Sequence, residues 1–278
     1  MTVDGQQRPR SGAAGVLMKT SSADGAEIAF ERVGEGPPLI IVGGAWNDRR
    51  SPADLAELLA PSFSVYTYDR RGRGDSGDTS PYAPEREVED LEAVIEAAGG
   101  SAYLYGHSSG AELARQATAR GISVTRLAMY EPPYIVDGSR PPRPSGYIEH
   151  LEDLARQGKG REIFEYFMTR AVGIPEEMVK PMLDSPMVEQ LTRIAHTVSY
   201  DGRVMGTTQE GTPLPVEWRN SVTVPTLVMV GDDSPEWMQK GCQALVRVLP
   251  DVSYRTLAGQ DHAVAPEAVA PVLEEFFS

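Results

Sequence analysis

A serine centred between two glycines is the first candidate for chemistry in this sequence. The segment Gly106-His107-Ser108-Ser109-Gly110 places Ser108 in the middle of a Gly-x-Ser-x-Gly pattern. A short apolar run, residues 102–105, precedes this pattern, and a helical stretch, residues 112–120, follows it. A tight strand–turn–helix needs small residues at its flanks because neighbouring backbone approaches closely, and such a turn presents the central hydroxyl above the sheet. We therefore predict that Ser108 is a nucleophile on a nucleophile elbow.

A serine hydroxyl needs a general base at neutral pH, and the chain offers four histidines for this role. His107 is adjacent to Ser108, so its side chain should point away from the site and pack under the elbow. His150 and His196 lie in a helical stretch and are interpreted as solvated or packed. His262 follows a predicted strand, at the end where α/β enzymes collect function. It is the preferred base by elimination and by position.

A carboxylate that orients the histidine should follow another strand, at a position between Ser108 and His262 in the sequence. The segment Val230-Gly231-Asp232-Asp233-Ser234 ends a predicted strand and supplies two aspartates. The resulting order of serine, acid and histidine differs from the orders found in the serine proteases. On the residues alone, both aspartates remain candidates.

Alternating strands and helices must position these residues. The strands are predicted near residues 27–33, 39–42, 64–68, 102–105, 125–130, 226–230 and 252–257, with a hairpin turn at Ala23-Asp24-Gly25 before the first of them. Amphipathic helices are predicted near residues 84–98, 112–120, 238–249 and from about Pro266 onward. This alternation predicts an α/β fold with a mostly parallel sheet covered by helices on both faces.

One long stretch interrupts the alternation. Residues 134–218 show helical stripes without a convincing strand, and proline clusters bracket them. We interpret residues 134–218 as a helical insertion between two halves of the core, which comprise residues 20–133 and 219–278. Residues 1–19 are rich in Gly, Arg, Ser and Ala and are expected to form a disordered tail.

Composition narrows the partners and the compartment. The 278-residue chain has a formal net charge of −14, which disfavours nucleic acid and anionic membranes as partners. The single cysteine, Cys242, permits no intrachain disulfide and is expected to be a small buried hydrophobe. No apolar run is long enough for a secretory signal or a membrane span, so we expect a cytoplasmic protein. The oligomeric state stays open.

From about Thr20 to its C-terminus the sequence resembles the α/β-hydrolase family. Besides the Ser108 elbow, the segment Asp69-Arg70-Arg71-Gly72-Arg73-Gly74-Asp75-Ser76 resembles the family's Asp-x-Arg-Gly-x-Gly-x-Ser turn. The resemblance implies an oxyanion hole formed by the backbone N–H groups of Ala45 and Ser109. It also implies that the helical insertion is a cap domain over the active site.

The sequence departs from the family pattern at two places. Gly43 stands where relatives usually carry a histidine, so the oxyanion loop differs in shape. Many relatives place the acid three residues after the strand-end glycine, a position that Ser234 occupies here. Asp233 is therefore the preferred acid of a Ser108–His262–Asp233 catalytic triad. Glu131, which ends the preceding strand, is the alternative because some relatives carry the acid there.

A glycine pattern at residues 72–77 formally matches Gly-x-Gly-x-x-Gly. A dinucleotide fingerprint must join a strand directly to a helix, whereas here a further loop intervenes. We therefore expect no nicotinamide cofactor. The proposed chemistry requires no other cofactor and no metal, and no Cys/His cluster has metal-ligand spacing.

These features predict a serine esterase that cleaves a small carboxylic ester or lactone through an acyl-enzyme. One alternative keeps the triad but acts on a thioester, a carbon–carbon bond or a peroxide acceptor. Another is a non-hydrolytic protein that uses the cleft only to bind a ligand. Five methionines and several aromatic residues in the insertion either line an apolar pocket or pack the insertion's own core.

Overall fold

The computed structural model describes residues 15–278, which are organised around one eight-stranded sheet. In chain order the strands are β1 (Met18–Ser21), β2 (Glu27–Val33), β3 (Pro38–Val42), β4 (Ser64–Tyr68), β5 (Ala102–His107), β6 (Val124–Tyr130), β7 (Thr226–Gly231) and β8 (Val252–Leu257). Across the sheet their order is β1-β2-β4-β3-β5-β6-β7-β8. Strands β3 to β8 pair in parallel, so their carboxyl ends meet at one edge. The predicted α/β class with a mostly parallel sheet is confirmed.

An antiparallel hairpin begins the sheet. β1 pairs with β2, and β2 pairs antiparallel with β4, as the turn signal at residues 23–25 predicts for the hairpin. The expected tail over residues 1–19 is too long at its C-terminal end, because Met18 and Lys19 pair with Phe30 and Ala29. Strand pairing overrides the polar composition there. The part of that expectation over residues 1–14 lies outside the described residues.

Within residues 15–278, ten α-helices surround the sheet or lie in the segment between β6 and β7. They are α1 (Ala53–Leu59), α2 (Pro84–Ala97), α3 (Ser109–Ala119), α4 (Tyr147–Arg156), α5 (Gly160–Tyr166), α6 (Glu176–Val179), α7 (Pro186–Leu191), α8 (Val198–Met205), α9 (Glu236–Val248) and α10 (Pro266–Phe277). The sequence did not indicate α1, because seven residues without a side-chain cap give too little periodicity to detect.

The helices cover both faces of the sheet, and each face has its own apolar core. On one face Leu91 of α2, Leu113 of α3 and Leu245 of α9 are fully buried. On the other face Leu59 of α1 and Leu273 of α10 are fully buried. Strand residues alternate between the two cores, since successive side chains point to opposite faces. Because helices cover both faces, the loops at the carboxyl ends of the parallel strands are left to carry the candidate functional residues.

Every regular element between β6 and β7 is helical. The α-helices α4 to α8 are joined there by a π-helical turn, Phe167–Val172, and by 3-10 turns at Lys180–Met182, Thr192–Thr197 and Val216–Asn220. Two small apolar clusters hold this segment together, one around Leu151 and Ile163 and one around Phe164, Val179 and Val188. No helix within residues 15–278 has both the length and the apolar character needed to cross a membrane.

Candidate active site

The nucleophile candidate lies on a sharp turn between β5 and α3. Ser108 adopts φ 58° and ψ −128°, a left-handed conformation that is unusual for a residue with a Cβ. Both flanking glycines are needed for close approach: a Cβ on Gly106 would lie 2.5 Å from the Ala111 Cα, and one on Gly110 would lie 2.2 Å from the Val42 carbonyl oxygen. The turn therefore stores backbone strain at the residue whose hydroxyl it presents.

The structure brings His262 to this serine. His262 lies in the loop between β8 and α10, and its Nε2 is 3.1 Å from Ser108 Oγ. Two side chains next to this loop donate hydrogen bonds to its carbonyl groups. The His107 Nε2–H donates to the His262 carbonyl at 2.9 Å, and the Tyr130 hydroxyl donates to the Asp261 carbonyl at 2.6 Å. Burial lowers the pKa of His107 to about 4, so its ring is neutral at pH 7. His107 thus packs under the elbow and also positions the loop that carries His262.

A glutamate contacts the far nitrogen of His262. Glu131 directly follows β6, and its Oε2 lies 2.8 Å from His262 Nδ1. Its other oxygen, Oε1, accepts hydrogen bonds from the Gly231 N–H at 2.8 Å and from the Ser234 hydroxyl at 2.5 Å. The residue adopts φ 45°, and its side chain is fully buried. Ser108, His262 and Glu131 thus form one continuous hydrogen-bonded chain.

The contact that we expected from Asp233 is therefore made by Glu131, the alternative acid. Asp232 and Asp233 are both exposed. The Asp232 carboxylate accepts from the Gly259 N–H at 2.6 Å, and the Asp233 N–H donates to the Gln260 carbonyl at 3.0 Å. The chain turns sharply after β7, which directs residues 232 and 233 outward and only Ser234 inward. Ser234, at the position where many relatives carry the acid, instead donates to Glu131.

The buried Glu131 carboxylate is stabilised in its charged form. Burial alone would raise its pKa, but hydrogen bonds from His262, Ser234 and Gly231 outweigh this effect and hold the pKa below its ordinary value. An ionised Glu131 accepts from Nδ1–H, which leaves Nε2 as an acceptor for the Ser108 hydroxyl. The geometry therefore selects the tautomer in which His262 can act as a base.

Ala45 and Ser109 line the same cavity as Ser108 and His262. Ser109 is the first residue of α3, and its hydroxyl donates to the Asp201 carboxylate at 2.6 Å. Two arginines hold the carbonyl groups of the loop that precedes Ala45. Arg70 donates to the Gly43 carbonyl at 3.2 Å, and Arg73 donates to the Gly44 carbonyl at 2.6 Å. These contacts orient the peptide groups of the loop beside Ser108.

A buried charge cluster connects this loop to the helical insertion, and the sequence analysis missed it. Asp201 of α8 binds Arg70 at 2.6 Å and Arg73 at 2.7 Å, and Arg70 also binds Glu87 of α2 at 2.6 Å. All four side chains are at most 5% exposed. The run Arg70-Arg71-Gly72-Arg73 directly after a buried strand was the available signal, because charges so placed need partners.

A cavity of about 180 Å³ opens beside Ser108. Its lining combines catalytic candidates with mostly apolar residues from the segment after β6, the insertion, the loop after β7 and the start of α9: Pro133, Tyr147, Phe167, Ala171, Val172, Val198, Gly202, Met205, Pro235, Trp237 and Met238. Phe167 thus lines the cavity, whereas Met187 is 53% exposed and does not. Other aromatic residues, such as Phe164, pack within the insertion. Some apolar residues of the insertion therefore line the cavity, and others pack the insertion's own core.

The remaining polar candidates lie away from the cavity. His150 packs against Tyr166 at 4.4 Å between ring centroids, and His196 lies 4.0 Å from Asp78. Cys242 is fully buried, and burial raises the pKa of its thiol. Within residues 15–278, no three or more His, Cys, Asp or Glu side chains are grouped so that they could hold a metal ion.

Comparisons with known proteins agree with this architecture. Residues 39–274 match the model of the alpha/beta hydrolase family. An alpha/beta hydrolase from Sphaerobacter thermophilus DSM 20745 is 50% identical, with a TM-score of 0.87 over 94% of this chain and 100% of that one. The enol-lactonase from Burkholderia xenovorans LB400 shares the fold at 18% identity, with a TM-score of 0.71 over 94% of this chain and 99% of that one.

N-formylmaleamate deformylase from Pseudomonas putida is 34% identical over 137 residues, which are 47% of this chain. That alignment spans 51% of the deformylase, about half of its length. The family match covers most of the present chain, from β3 into α10, and includes the serine elbow and the histidine loop. The chain therefore belongs to the α/β-hydrolase family.

Proposed function

We propose that this protein is a serine hydrolase that cleaves a small carboxylic ester or lactone through an acyl-enzyme intermediate. The observation that carries the proposal is the hydrogen-bonded chain from Ser108 through His262 to Glu131. Ser108, at one end of this chain, lines a mostly apolar cavity. In this proposal Glu131 takes the role of triad acid that the sequence analysis assigned to Asp233.

The chemistry follows from the positions of these groups. His262 Nε2 accepts the Ser108 proton while Ser108 Oγ attacks the carbonyl carbon. The backbone N–H groups of Ala45 and Ser109 then stabilise the oxyanion, with Ala45 held in place by the carbonyl contacts of Arg70 and Arg73. The protonated His262 donates its proton to the leaving alkoxide. Water, deprotonated by the same nitrogen, releases the acid in the second half-reaction.

The size and polarity of the cavity support a small substrate with an apolar portion. About 180 Å³ is below the roughly 300–1,000 Å³ of pockets that enclose drug-sized ligands. The helical insertion contributes much of the lining, so we propose that it acts as a cap domain that selects the substrate. A related acyl bond is a second candidate, because the deformylase relative is named for removing a formyl group from nitrogen.

The proposed nucleophile is tested by covalent labelling. A fluorophosphonate should label the wild-type protein, and Ser108→Ala should abolish that labelling. Ser109→Ala should keep it, because the backbone N–H of residue 109 is retained. Unchanged labelling of Ser108→Ala would overturn the assignment.

Turnover tests the bond type. We expect hydrolysis of short-chain esters and small lactones, and faster turnover of these than of matched thioesters, N-formyl compounds or carbon–carbon substrates. Perhydrolysis with hydrogen peroxide is the comparison for a peroxide acceptor. Labelling of Ser108 without turnover of any member of this panel would favour a ligand-binding protein.

The cytoplasmic location remains a proposal, which fractionation of the native host tests.

A further inference from the structure

Arg140, a cation that lines the active-site cavity, has no anionic partner within residues 15–278. Another charged side chain, that of Asp201, lines the same cavity. Asp201 is neutralised by its ion pairs with Arg70 and Arg73. Arg140 forms no ion pair with any carboxylate in residues 15–278, although the chain carries an excess of acidic residues.

The contacts of Arg140 fix its position without neutralising it. Its Nη2 donates to the Ala171 carbonyl, and its guanidinium lies over the Trp237 ring at 4.2 Å from the centroid. The nearby Asp137 pairs instead with Lys240 at 3.4 Å and with the Ser139 hydroxyl. A guanidinium has five N–H donors and stays protonated, so most of the donors of Arg140 have no hydrogen-bond partner in the described part of the chain.

Leaving such a charge half-buried is costly. Arg140 is partly buried, and this burial lowers its pKa, with no carboxylate of residues 15–278 to offset the effect. A bound anion would satisfy both the charge and the free donors, and the planar guanidinium suits a carboxylate, which it can bind through two parallel hydrogen bonds. The guanidinium of Arg140, unpaired among the described residues, thus indicates that the ligand of this cavity carries a carboxylate.

We propose that Arg140 binds a carboxylate of the substrate, so that the protein hydrolyses half esters or lactones that carry a second, ionised acid group. This proposal rests on the proposed esterase function of the same cavity. The carbonyl carbon lies at Ser108, the apolar middle of the molecule contacts residues such as Phe167 and Met205, and the carboxylate lies at Arg140 between Ala171 and Trp237.

A matched pair of esters tests the proposal. Monomethyl succinate carries the carboxylate, and methyl isocaproate carries an isopropyl group of similar shape in its place. Wild-type kcat/KM should be higher for the half ester. Arg140→Met keeps the apolar stem over Trp237 and removes the charge, so it should lower kcat/KM for the half ester about 10- to 100-fold. Its kcat/KM for methyl isocaproate should stay within a few-fold of wild type.

Two further variants separate binding from folding. Arg170→Met removes an exposed cation of the same insertion and should leave both esters unaffected. Arg140→Lys keeps the charge but not the fork, and should recover part of the preference. Equal losses of Arg140→Met on both esters, or no wild-type preference for the half ester, would overturn the carboxylate assignment while leaving the esterase proposal intact.

Binding of the product dicarboxylate decides the question if neither ester is hydrolysed. Succinate should raise the melting temperature of the wild-type protein and not that of Arg140→Met, whether or not the bond cleaved is an ester. The same small shift in both proteins, or none in either, would contradict an anion site at Arg140. Failure of a fluorophosphonate to label Ser108 in the wild-type protein would contradict the proposed function. That outcome is distinguishable from the absence of succinate binding.

Discussion

At the scale of single residues, the decisive feature is the acid that contacts His262. Glu131 and Asp233 follow neighbouring parallel strands, β6 and β7, so both lie at the same edge of the sheet. Glu131 reaches His262 because its backbone adopts a left-handed conformation and its side chain is long. Sequence reasoning placed both carboxylates at the correct edge but could not determine which of them turns inward.

The two carboxylates should differ sharply in their effect on catalysis. Glu131→Gln removes the charge that stabilises protonated His262 and disturbs the tautomer, so kcat should fall by up to ~10⁴-fold. Asp233→Asn alters an exposed side chain and should change kcat by less than about threefold. Steady-state kinetics with circular dichroism as a folding control measures both. A larger loss for Asp233→Asn would reverse the assignment.

His107 should make stability depend on pH. An unfolded histidine binds a proton near pH 6.5, whereas burial lowers the pKa of folded His107 to about 4. Between these values the unfolded chain binds the extra proton, so the contribution of His107 is complete above pH 6.5 and is lost as pH falls toward 4. His107→Gln does not titrate at this position and keeps a donor for the His262 carbonyl.

Melting temperatures measured from pH 7.5 to 4.5 test this dependence. The wild-type curve should fall more steeply than that of His107→Gln over the acidic half of the range. Parallel curves for the two proteins would show that His107 takes up a proton at the same pH in the folded and unfolded chains.

At the scale of elements, the buried ion pairs of Asp201 join α8 to two arginines after β4, which in turn hold the loop that carries Ala45. The partners are Arg70 and Arg73, which lie 131 and 128 residues earlier in the chain. Local periodicity carries no information about a contact of such separation, so the sequence indicated the strands and helices but not this connection. Apolar runs and short alternating segments, by contrast, were enough to locate seven of the eight described strands, β2 to β8, while β1 was misjudged as part of the tail.

Asp201→Asn should destabilise the protein strongly. It leaves two buried guanidinium groups with less counter-charge, and removing one partner of such a pair typically costs about 3–5 kcal/mol. The carbonyl groups of Gly43 and Gly44 should lose their fixed orientation, so kcat should fall as well. Denaturant unfolding and ester kinetics measure the two effects.

An ion pair on the surface of the same insertion provides the control. Asp184 lies 3.1 Å from Arg161 and is 89% exposed, so Asp184→Asn should change stability by less than about 0.5 kcal/mol. Similar small changes for both variants would show that the Asp201 cluster is not an energetic link between the insertion and the core.

At the scale of the whole molecule, we predict that hydrolysis does not depend on a metal ion. No three His, Cys, Asp or Glu side chains within residues 15–278 are arranged to hold one. Ester hydrolysis should therefore retain at least about 90% of its rate after prolonged treatment with EDTA and gel filtration, by analogy with metal-independent serine hydrolases. A loss of rate that zinc or calcium restores would contradict this expectation.

Placing the acid after β6 also changes which part of the molecule can be altered without harm. In the segment after β7, Ser234 alone supports the acid with its side chain, while Asp232 and Asp233 face solvent and Trp237 faces the cavity. That segment can therefore be randomised around a fixed Ser234 to produce variants with new substrate preferences. Directed evolution at positions 232, 233 and 237 should yield a larger share of active clones than the same mutagenesis applied to residues flanking Glu131.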